Sequence, residues 1–285
     1  MLNDMKKGLV LEGGGMRGLF TAGFLDVLIE NGIQFDGMFG ISAGVLFGCN
    51  YKSRQAGRSL RYNLQYKDDA RYMSIRSLIT TGDYVNVDFA YNIMPRQLDP
   101  FDEVAFANNP MKFYVGCTDI VTGKPVYKRI DDMDDRGYDW FRASAAMPLM
   151  AKPVEIEGHI MLDGGIVDSI PLKYAQSIGY EKNLVVLTQP KGYKKKPFKA
   201  TWLFKYFLPK YPKVAKLMAQ RHIMYNQELD FVYKEGRKDN TLLVIPDESL
   251  NIGRVETNGK RMRQCYAKGR TKALEMLDDI KRFLE

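Results

Sequence analysis

One serine lies between glycines in a pattern that suits nucleophilic chemistry. Ser42 is the centre of FGISAG, a GxSxG match with Gly40 and Gly44 on either side. Where a strand leads through a turn into a helix, this pattern forms a tight turn that needs small neighbours and exposes the serine hydroxyl above the sheet. FDGMFGI is strand-like and AGVLFG begins a helical pattern. The context favours a nucleophile, with a tight turn without chemistry as the alternative.

A serine nucleophile needs a base, and the chain holds only two histidines, His159 and His222. The order Ser42, Asp163, His222 would match the triad of α/β-hydrolases. However, His222 lies in the helical run KLMAQRHIMYNQELDF, and only one strand precedes that of Ser42, where those hydrolases have several. A histidine-based triad is therefore disfavoured.

An aspartate offers another base. Asp163, in LDGGIVDSIP, falls at a predicted strand end, and Gly164 and Gly165 open space beside it. An Asp–Gly–Gly sequence also suits an ordinary turn, so this segment alone decides nothing.

A glycine-rich loop, GGGMRG at residues 13–18, joins the first predicted strand to the first helix. Its GxGxxG spacing, with Asp36 about 20 residues further on, permits a dinucleotide site, but that leaves FGISAG unexplained. A phosphate-binding P-loop is excluded, because Gly18 is not followed by Lys and Ser or Thr. A third interpretation is an oxyanion hole, in which backbone N–H groups at a helix N-terminus face a developing negative charge.

These segments need a scaffold, and the hydrophobic pattern predicts one. Short apolar strands alternate with helical runs, including KFYVGCTDI and KPVYKRI as a pair across TG, NLVVLTQ and TLLVIP as buried strands, and GKRMRQCYAKGRTKALEMLDDIKRFLE as one long terminal helix. Residues 53–110 are predicted to form short helices and loops. The alternation predicts an α/β fold with a mostly parallel sheet.

Four motifs together resemble one family. EGGGMRG, GISAG, ASAAMP and LDGG, in that order within residues 8–175, resemble the patatin-like phospholipases. The resemblance implies a three-layer α/β/α fold and a Ser–Asp dyad that hydrolyses acyl esters of lipids. It implies no cofactor and no metal, and we find no HExxH or clustered ligand spacing in the chain.

Carried over residue by residue, the resemblance makes Ser42 the nucleophile and Asp163 the base. ASAAMP is expected to give structural support near the site. The implied oxyanion residues are Gly13, Gly14, Gly15 and Arg17, and the implied supporting glycines are Gly18, Gly40, Gly44, Gly164 and Gly165. We therefore predict a serine acyl hydrolase acting on lipid esters. The alternative from a different class is a nucleotide-binding or regulatory protein that uses GGGMRG without hydrolysis.

Composition indicates the cellular compartment in which the protein is expected. The chain has 285 residues and three widely spaced cysteines without CxxC pairs, which fits free thiols in a reducing compartment. MLNDMKKGLVLEGGG has too short an apolar run for a signal peptide, and no run approaches a membrane span. We expect a cytoplasmic protein, with possible peripheral membrane contact.

The positive charge is concentrated in the last third. Residues 181–285 hold 23 Lys and Arg against 12 Asp and Glu, whereas the net charge of the chain is +8. Residues 191–221 contain ten basic and no acidic residues, with aromatic residues between them. This composition suits a segment that docks on an anionic membrane or forms an acyl-chain lid. We expect no nucleic-acid partner, although basic and aromatic residues together also occur in proteins that bind single strands. The alternative is a helix face with its lysines in solvent. We predict a hydrolase core at 5–190 and a basic extension at 191–285 that packs on it.

Overall fold

A computed structural model describes residues 5–285, and residues 1–4, the start of the segment tested for a signal peptide, lie outside the described part. The strands are β1 Lys7–Leu11, β2 Gly37–Ile41, β3 Lys112–Asp119, β4 Lys124–Ile130, β5 Val154–Ile156, β6 His159–Asp163, β7 Lys182–Val186 and β8 Thr241–Val244. The helices are α1 Gly18–Glu30, α2 Ala43–Lys52, α3 Arg58–Tyr66, α4 Ile75–Thr81, α5 Glu103–Asn108, α6 Asp135–Ala145, α7 Leu172–Ser177, α8 Trp202–Phe207, α9 Pro212–Glu235, α10 Gly259–Glu275 and α11 Leu277–Leu284. A π-helix covers Phe89–Leu98.

The eight strands form one mixed sheet. Its order is β5-β6-β3-β2-β1-β7-β8, with β4 paired to β3. From β3 through to β8 neighbouring strands run parallel, and the pairs that involve β4, β5 and β6 run antiparallel. Helices cover both faces, which confirms the predicted three-layer fold with a mostly parallel sheet.

The two faces of the sheet carry separate cores, because side chains alternate along a strand. In β1, Leu9 and Leu11 join the larger core with α1, whereas Val10 joins the smaller core with α9. Burial on both faces explains why β1 is a continuous apolar run instead of an alternating one.

One edge of β3 is shared by two strands. β4 pairs along the opposite edge, from Phe113 to Asp119. On the shared edge, β2 runs parallel to β3 until Ile41 reaches Gly116, and β6 runs antiparallel until Asp163 reaches Cys117. The ends of β2 and β6 therefore meet at neighbouring residues of β3.

The segment beyond residue 190 takes part in the same sheet. β8 pairs with β7, and α10 crosses α1 at very short range. A Cβ on Gly269 would collide with the carbonyl oxygen of Phe20, and a Cβ on Gly23 would collide with that of Tyr266. Both glycines allow the two backbones to approach closely.

The single terminal helix predicted from the sequence is wrong in one respect. The run divides into α10 and α11 at Met276, which lies between the two helices. Ile280 of α11 is fully buried, and α10 packs against α1.

We predict that Gly269→Ala destabilises the protein, because the added methyl group would meet backbone, which cannot rotate away. The expected loss in the free energy of unfolding is about 1–3 kcal/mol, measured by urea denaturation. Gly259→Ala on the same helix is the control, since its methyl group would meet only the flexible ends of Leu64 and Lys67. Equal effects of the two substitutions would show that the α1–α10 crossing is not tightly packed.

Candidate active site

Ser42 lies in the turn between β2 and α2 with an unusual backbone. Its φ of 54° and ψ of −119° are uncommon for a residue with a side chain. The flanking glycines are required by packing, since a Cβ on Gly40 would lie 2.9 Å from the carbonyl carbon of Gly44. A Cβ on Gly44 would lie 2.7 Å from the carbonyl oxygen of Leu11. The strained turn thus has the features of a nucleophile elbow.

Asp163 ends β6 and begins a short 3-10 helix. Its Oδ1 accepts a hydrogen bond from the N–H of Gly165 at 2.7 Å, and its carbonyl accepts one from Thr118 Oγ1 at 2.9 Å. A side chain at Gly164 would collide with the carbonyl oxygen of Gly116, so the glycine lets β6 end against β3. These contacts fix the carboxylate at the sheet edge.

The structure brings Ser42 and Asp163 together, each less than one tenth exposed. Burial raises the pKa of the Asp163 carboxyl, and the neighbouring Ser42 hydroxyl and the charges of Arg221 and Arg254 oppose that rise. A carboxyl with a raised pKa is a stronger base than an exposed aspartate. The pair has the composition that proton transfer from serine to carboxylate requires.

Ser144 supports this junction and was not singled out by the sequence analysis, although it lies in ASAAMP. Its Oγ accepts a hydrogen bond from the N–H of Ser42 at 2.9 Å and donates one to the carbonyl of Gly116 at 2.7 Å. One buried hydroxyl therefore ties the turn of β2 to β3.

The glycine loop lies beside the serine turn. A Cβ on Gly13 would lie 3.3 Å from the Cβ of Ser42. The N–H of Gly13 is already donated to the carbonyl of Ser169 at 3.2 Å, whereas the N–H groups of Gly14 and Gly15 have no acceptor within residues 5–285. Among the three glycines predicted for the oxyanion hole, only Gly14 and Gly15 offer a free donor.

The other residues of the loop have different surroundings. Gly18 begins α1 against α2, where a Cβ would lie 2.7 Å from the Phe47 ring. Arg17 directs its Nε into the interior, where that atom has no hydrogen-bond partner among the described residues. The side chain of Arg17 is thus a partly buried cation, and the backbone N–H groups are the donors of the loop.

A pair of buried carboxyl groups holds the segment that follows Asp163. Both carboxylate oxygens of Glu228, on α9, accept from the N–H of Ser169, at 3.2 and 3.0 Å. Asp168 lies next to Glu228 and accepts from the hydroxyl of Tyr127. Burial raises the pKa of both carboxyls, and the proximity of Asp168 raises that of Glu228 further. Because Ser169 also accepts from Gly13, α9 helps to position the glycine loop.

Ser42 opens onto a cavity of about 170 Å³. Its walls come mainly from α2, α3, the π-helix, α6 and the segment around Tyr84. Most lining side chains are apolar or aromatic, among them Phe47, Tyr91, Met94, Phe141 and Met150. A mostly apolar cavity next to a buried nucleophile suits a substrate with a hydrocarbon portion.

Neither histidine is paired with the serine. His159 Nδ1 lies 2.9 Å from Asp119 Oδ2, at the far end of β6 from Asp163. His222, on α9, is not among the described residues that line the cavity. Asp36 accepts from the N–H of Lys7 at 2.7 Å, at the start of β1, so it lies at the opposite end of the sheet from the glycine loop. That position does not suit a ribose ligand of a dinucleotide held by the loop.

Two kinds of feature are absent from residues 5–285. No group of three or more His, Cys, Asp or Glu side chains there could hold a metal ion. No helix in the same range is long and apolar enough to cross a bilayer.

Comparison with protein families identifies the first part of the chain. The model of the patatin-like phospholipases matches residues 9–175, more than half of the chain. The chain belongs to the patatin-like phospholipase family. A second model, a domain of unknown function (DUF6363), matches residues 211–285.

Several curated proteins are similar to this family member. An uncharacterised protein of Escherichia coli K12, YjjU, is 26% identical over 92% of this chain and 74% of its own length. Lysophospholipase nte1 of Aspergillus oryzae is 28% identical over 60% of this chain and 11% of its own length. An uncharacterised NTE family protein of Mycobacterium bovis, Mb1092c, is 28% identical, covering 62% of this chain and 48% of its own length.

A solved structure also resembles the chain. VipD from Legionella pneumophila matches with a TM-score of 0.49 and 13% identity, covering 96% of this chain and 67% of that chain. The family match confirms the expectation of a lipid ester hydrolase. The roles of the individual site residues stay predictions.

We predict that Glu228→Gln makes the protein more stable relative to the parent as pH rises. The folded protein keeps a proton on this carboxyl pair above the pH at which the unfolded chain releases it, so the parent loses stability over that range. The amide carries no such proton. The difference in free energy of unfolding should grow by up to about 1.4 kcal/mol per pH unit between about pH 5 and pH 9.

The exposed Glu181 provides the matched control, since the structure gives it no hydrogen-bond partner within residues 5–285. Urea denaturation of Glu181→Gln should give a difference from the parent that does not change with pH. The same flat result for Glu228→Gln would show that Asp168 and Glu228 do not share a proton.

Proposed function

We propose that the chain is a serine acyl hydrolase of the phospholipase A or lysophospholipase type, with Ser42 as nucleophile and Asp163 as base. The observation that carries the proposal is the meeting of a strained serine turn and a buried carboxylate beside an apolar cavity. The lysophospholipase among the relatives supports a lipid with a single acyl chain as the substrate class.

The proposed reaction uses these groups in two steps. Ser42 Oγ attacks the ester carbonyl while the carboxylate of Asp163 accepts its proton. The free N–H groups of Gly14 and Gly15 stabilise the oxyanion. Asp163 then gives the proton to the departing alcohol, and a water molecule, deprotonated by Asp163, releases the acyl group from Ser42. No histidine takes part in this sequence.

The alternative, a nucleotide-binding or regulatory protein without hydrolysis, predicts no reactive serine. A fluorophosphonate probe separates the two proposals, since a hydrolase would be labelled at Ser42 and the parent labelling would be absent in Ser42→Ala. Mass spectrometry of the labelled peptide identifies the residue.

We predict that Ser42→Ala abolishes ester hydrolysis and that Asp163→Asn loses several orders of magnitude, because an amide cannot accept the proton. The control is the double variant His159→Gln with His222→Gln, which should retain kcat/KM for a p-nitrophenyl ester within about tenfold. All variants must keep the parent circular dichroism spectrum. A folded His222→Gln enzyme as inactive as Asp163→Asn would restore the histidine triad.

We also propose that residues 191–221 dock the enzyme on an anionic membrane. Trp202 and Tyr206 are 64% and 73% exposed and lie one turn apart on α8, and Phe198 and Phe207 are exposed nearby. Aromatic rings next to many lysines match the requirements of an interfacial segment. This surface is separate from the apolar cavity, none of whose described lining residues comes from α8.

We predict that Trp202→Ser with Tyr206→Ser weakens binding to phosphatidylglycerol vesicles by at least about tenfold, because apolar area that enters the lipid interface is removed. Leu274→Ser is the control, since Leu274 is 57% exposed on α10, outside the segment. Vesicle co-sedimentation measures binding, and hydrolysis of a soluble short-chain ester should be the same in both variants. Unchanged sedimentation of the α8 variant would leave this face as ordinary solvated surface.

A further inference from the structure

Four cations lie close to the proposed catalytic pair. They are Arg17 of the glycine loop and Lys195, Arg221 and Arg254 from beyond residue 190. Within residues 5–285, none of the four forms an ion pair within 4.0 Å, although many other Lys and Arg side chains of the protein do. We call these four residues the cation cluster.

Arg254 is fixed against the glycine loop. Its carbonyl accepts a hydrogen bond from the N–H of Met16 at 3.0 Å, and its Cα lies 2.9 Å from the position of a Cβ on Gly15. Arg254 lines the same cavity as Ser42. A cation from the loop before α10 therefore reaches the site of the proposed reaction.

Arg221 approaches from α9. Its Nε donates to the carbonyl of Gly165, and its terminal nitrogen lies 3.1 Å from the position that a Cβ on Gly165 would take. Oδ1 of Asp163 lies 3.0 Å from that same position. The guanidinium group is thus next to the proposed base, and its other donors have no hydrogen-bond partner within residues 5–285.

Lys195 is held in place by its backbone. Its N–H donates to Asn226 Oδ1 at 2.8 Å, and Asn226 Nδ2 donates back to its carbonyl at 3.1 Å. The ammonium group lies 4.0 Å from the centre of the Tyr225 ring. The contact with the ring restricts the ammonium group, which therefore does not move freely in solvent.

The cations repel one another in a partly buried place. Burial lowers the pKa of Lys195 to about 7, and the charges of Arg221, Arg254 and Arg17 contribute. Burial also lowers the pKa of Arg254, with Arg221 and Arg17 as further causes. Two carboxylates face the cluster, Asp163 and Glu12, and Glu12 is engaged by the hydroxyl of Tyr225 at 2.6 Å and the N–H of Thr188 at 2.5 Å. An anion with several oxygens would relieve this repulsion.

We propose that Lys195, Arg221 and Arg254, next to Arg17, bind the phosphate group of the substrate and so select lipid esters that carry a phosphate. Guanidinium groups suit phosphate because their forked donors match its oxygens, and such charge-assisted hydrogen bonds are strong. The inference rests on the proposed function, because it places the phosphate beside the ester that Ser42 attacks. The selectivity then comes from the chain beyond the patatin-like part.

The test compares two esters with the same acyl chain, 1-oleoyl lysophosphatidic acid and 1-oleoylglycerol, in the same neutral detergent micelles. The quantity measured is the ratio of kcat/KM for the first ester to that for the second. Arg254→Gln and Arg221→Gln should each lower this ratio at least about tenfold, a loss of about 1.4 kcal/mol in discrimination. Arg254→Lys, which keeps the charge but not the fork, should recover part of it.

Arg263→Gln is the matched control, because Arg263 is exposed on α10 and has no ion pair within the described residues. Its ratio should stay within about twofold of the parent. A ratio that falls equally in this control and in Arg254→Gln, or in neither, overturns the phosphate site.

A binding measurement separates this inference from the proposed function. Calorimetry on Ser42→Ala uses glycerol 1-phosphate and, separately, inorganic phosphate. If glycerol 1-phosphate binds more tightly than inorganic phosphate, and adding Arg254→Gln weakens that binding at least about tenfold, the result supports a substrate subsite. Tighter binding of inorganic phosphate indicates a free effector and overturns the substrate role. A parent protein that binds glycerol 1-phosphate but cleaves neither ester contradicts the proposed function and leaves the anion site standing.

Discussion

The arrangement of the site depends on a shared strand edge. β2 and β6 both pair with the same edge of β3, from opposite directions, and end at Gly116 and Cys117. A strand end directs the following residue out of the sheet, so Ser42 and Asp163 leave the sheet at one point. No long loop is needed to bring them together. Their relative position is set by backbone hydrogen bonds in the interior, which are costly to break.

This junction explains why small residues cluster around it. Gly40, Gly44 and Gly164 each lie where a Cβ would press on the backbone of a neighbouring segment. Ser144 adds a small polar group that hydrogen-bonds to the turn after β2 and to β3. The small residues of the motifs are therefore required for packing as well as for chemistry. The strained backbone conformation of Ser42 is tolerated because the packed surroundings exclude other conformations.

Local motifs could be predicted from the sequence, and long-range partners could not. The turn around Ser42 needs small residues at fixed offsets, which leaves a pattern in the chain, and the strands of the core are visible as short apolar runs. Glu228 and Arg254 have no such pattern, because each acts on a segment more than 50 residues away. The donation of the Gly13 N–H to Ser169 was equally hidden, since a glycine-rich run does not show which amides are already used. The division of the terminal helix at Met276 affects a single residue, and helical periodicity does not reveal it.

The two regions matched by separate family models meet at the proposed reaction centre. The carboxylate of Glu228, on α9, accepts a hydrogen bond from the N–H of Ser169, and the carbonyl of Ser169 accepts one from the N–H of Gly13. The carbonyl of Arg254 accepts one from the N–H of Met16. Each contact places a residue of 211–285 on a loop of 9–175. Removing the second region would leave buried donors of the catalytic loops without acceptors, and such groups cost free energy wherever water cannot replace the partner. The C-terminal region is thus part of the framework that orients the glycine loop. The same region carries the cations that face Asp163, so a change there alters the position of the loop and the charge around the base together.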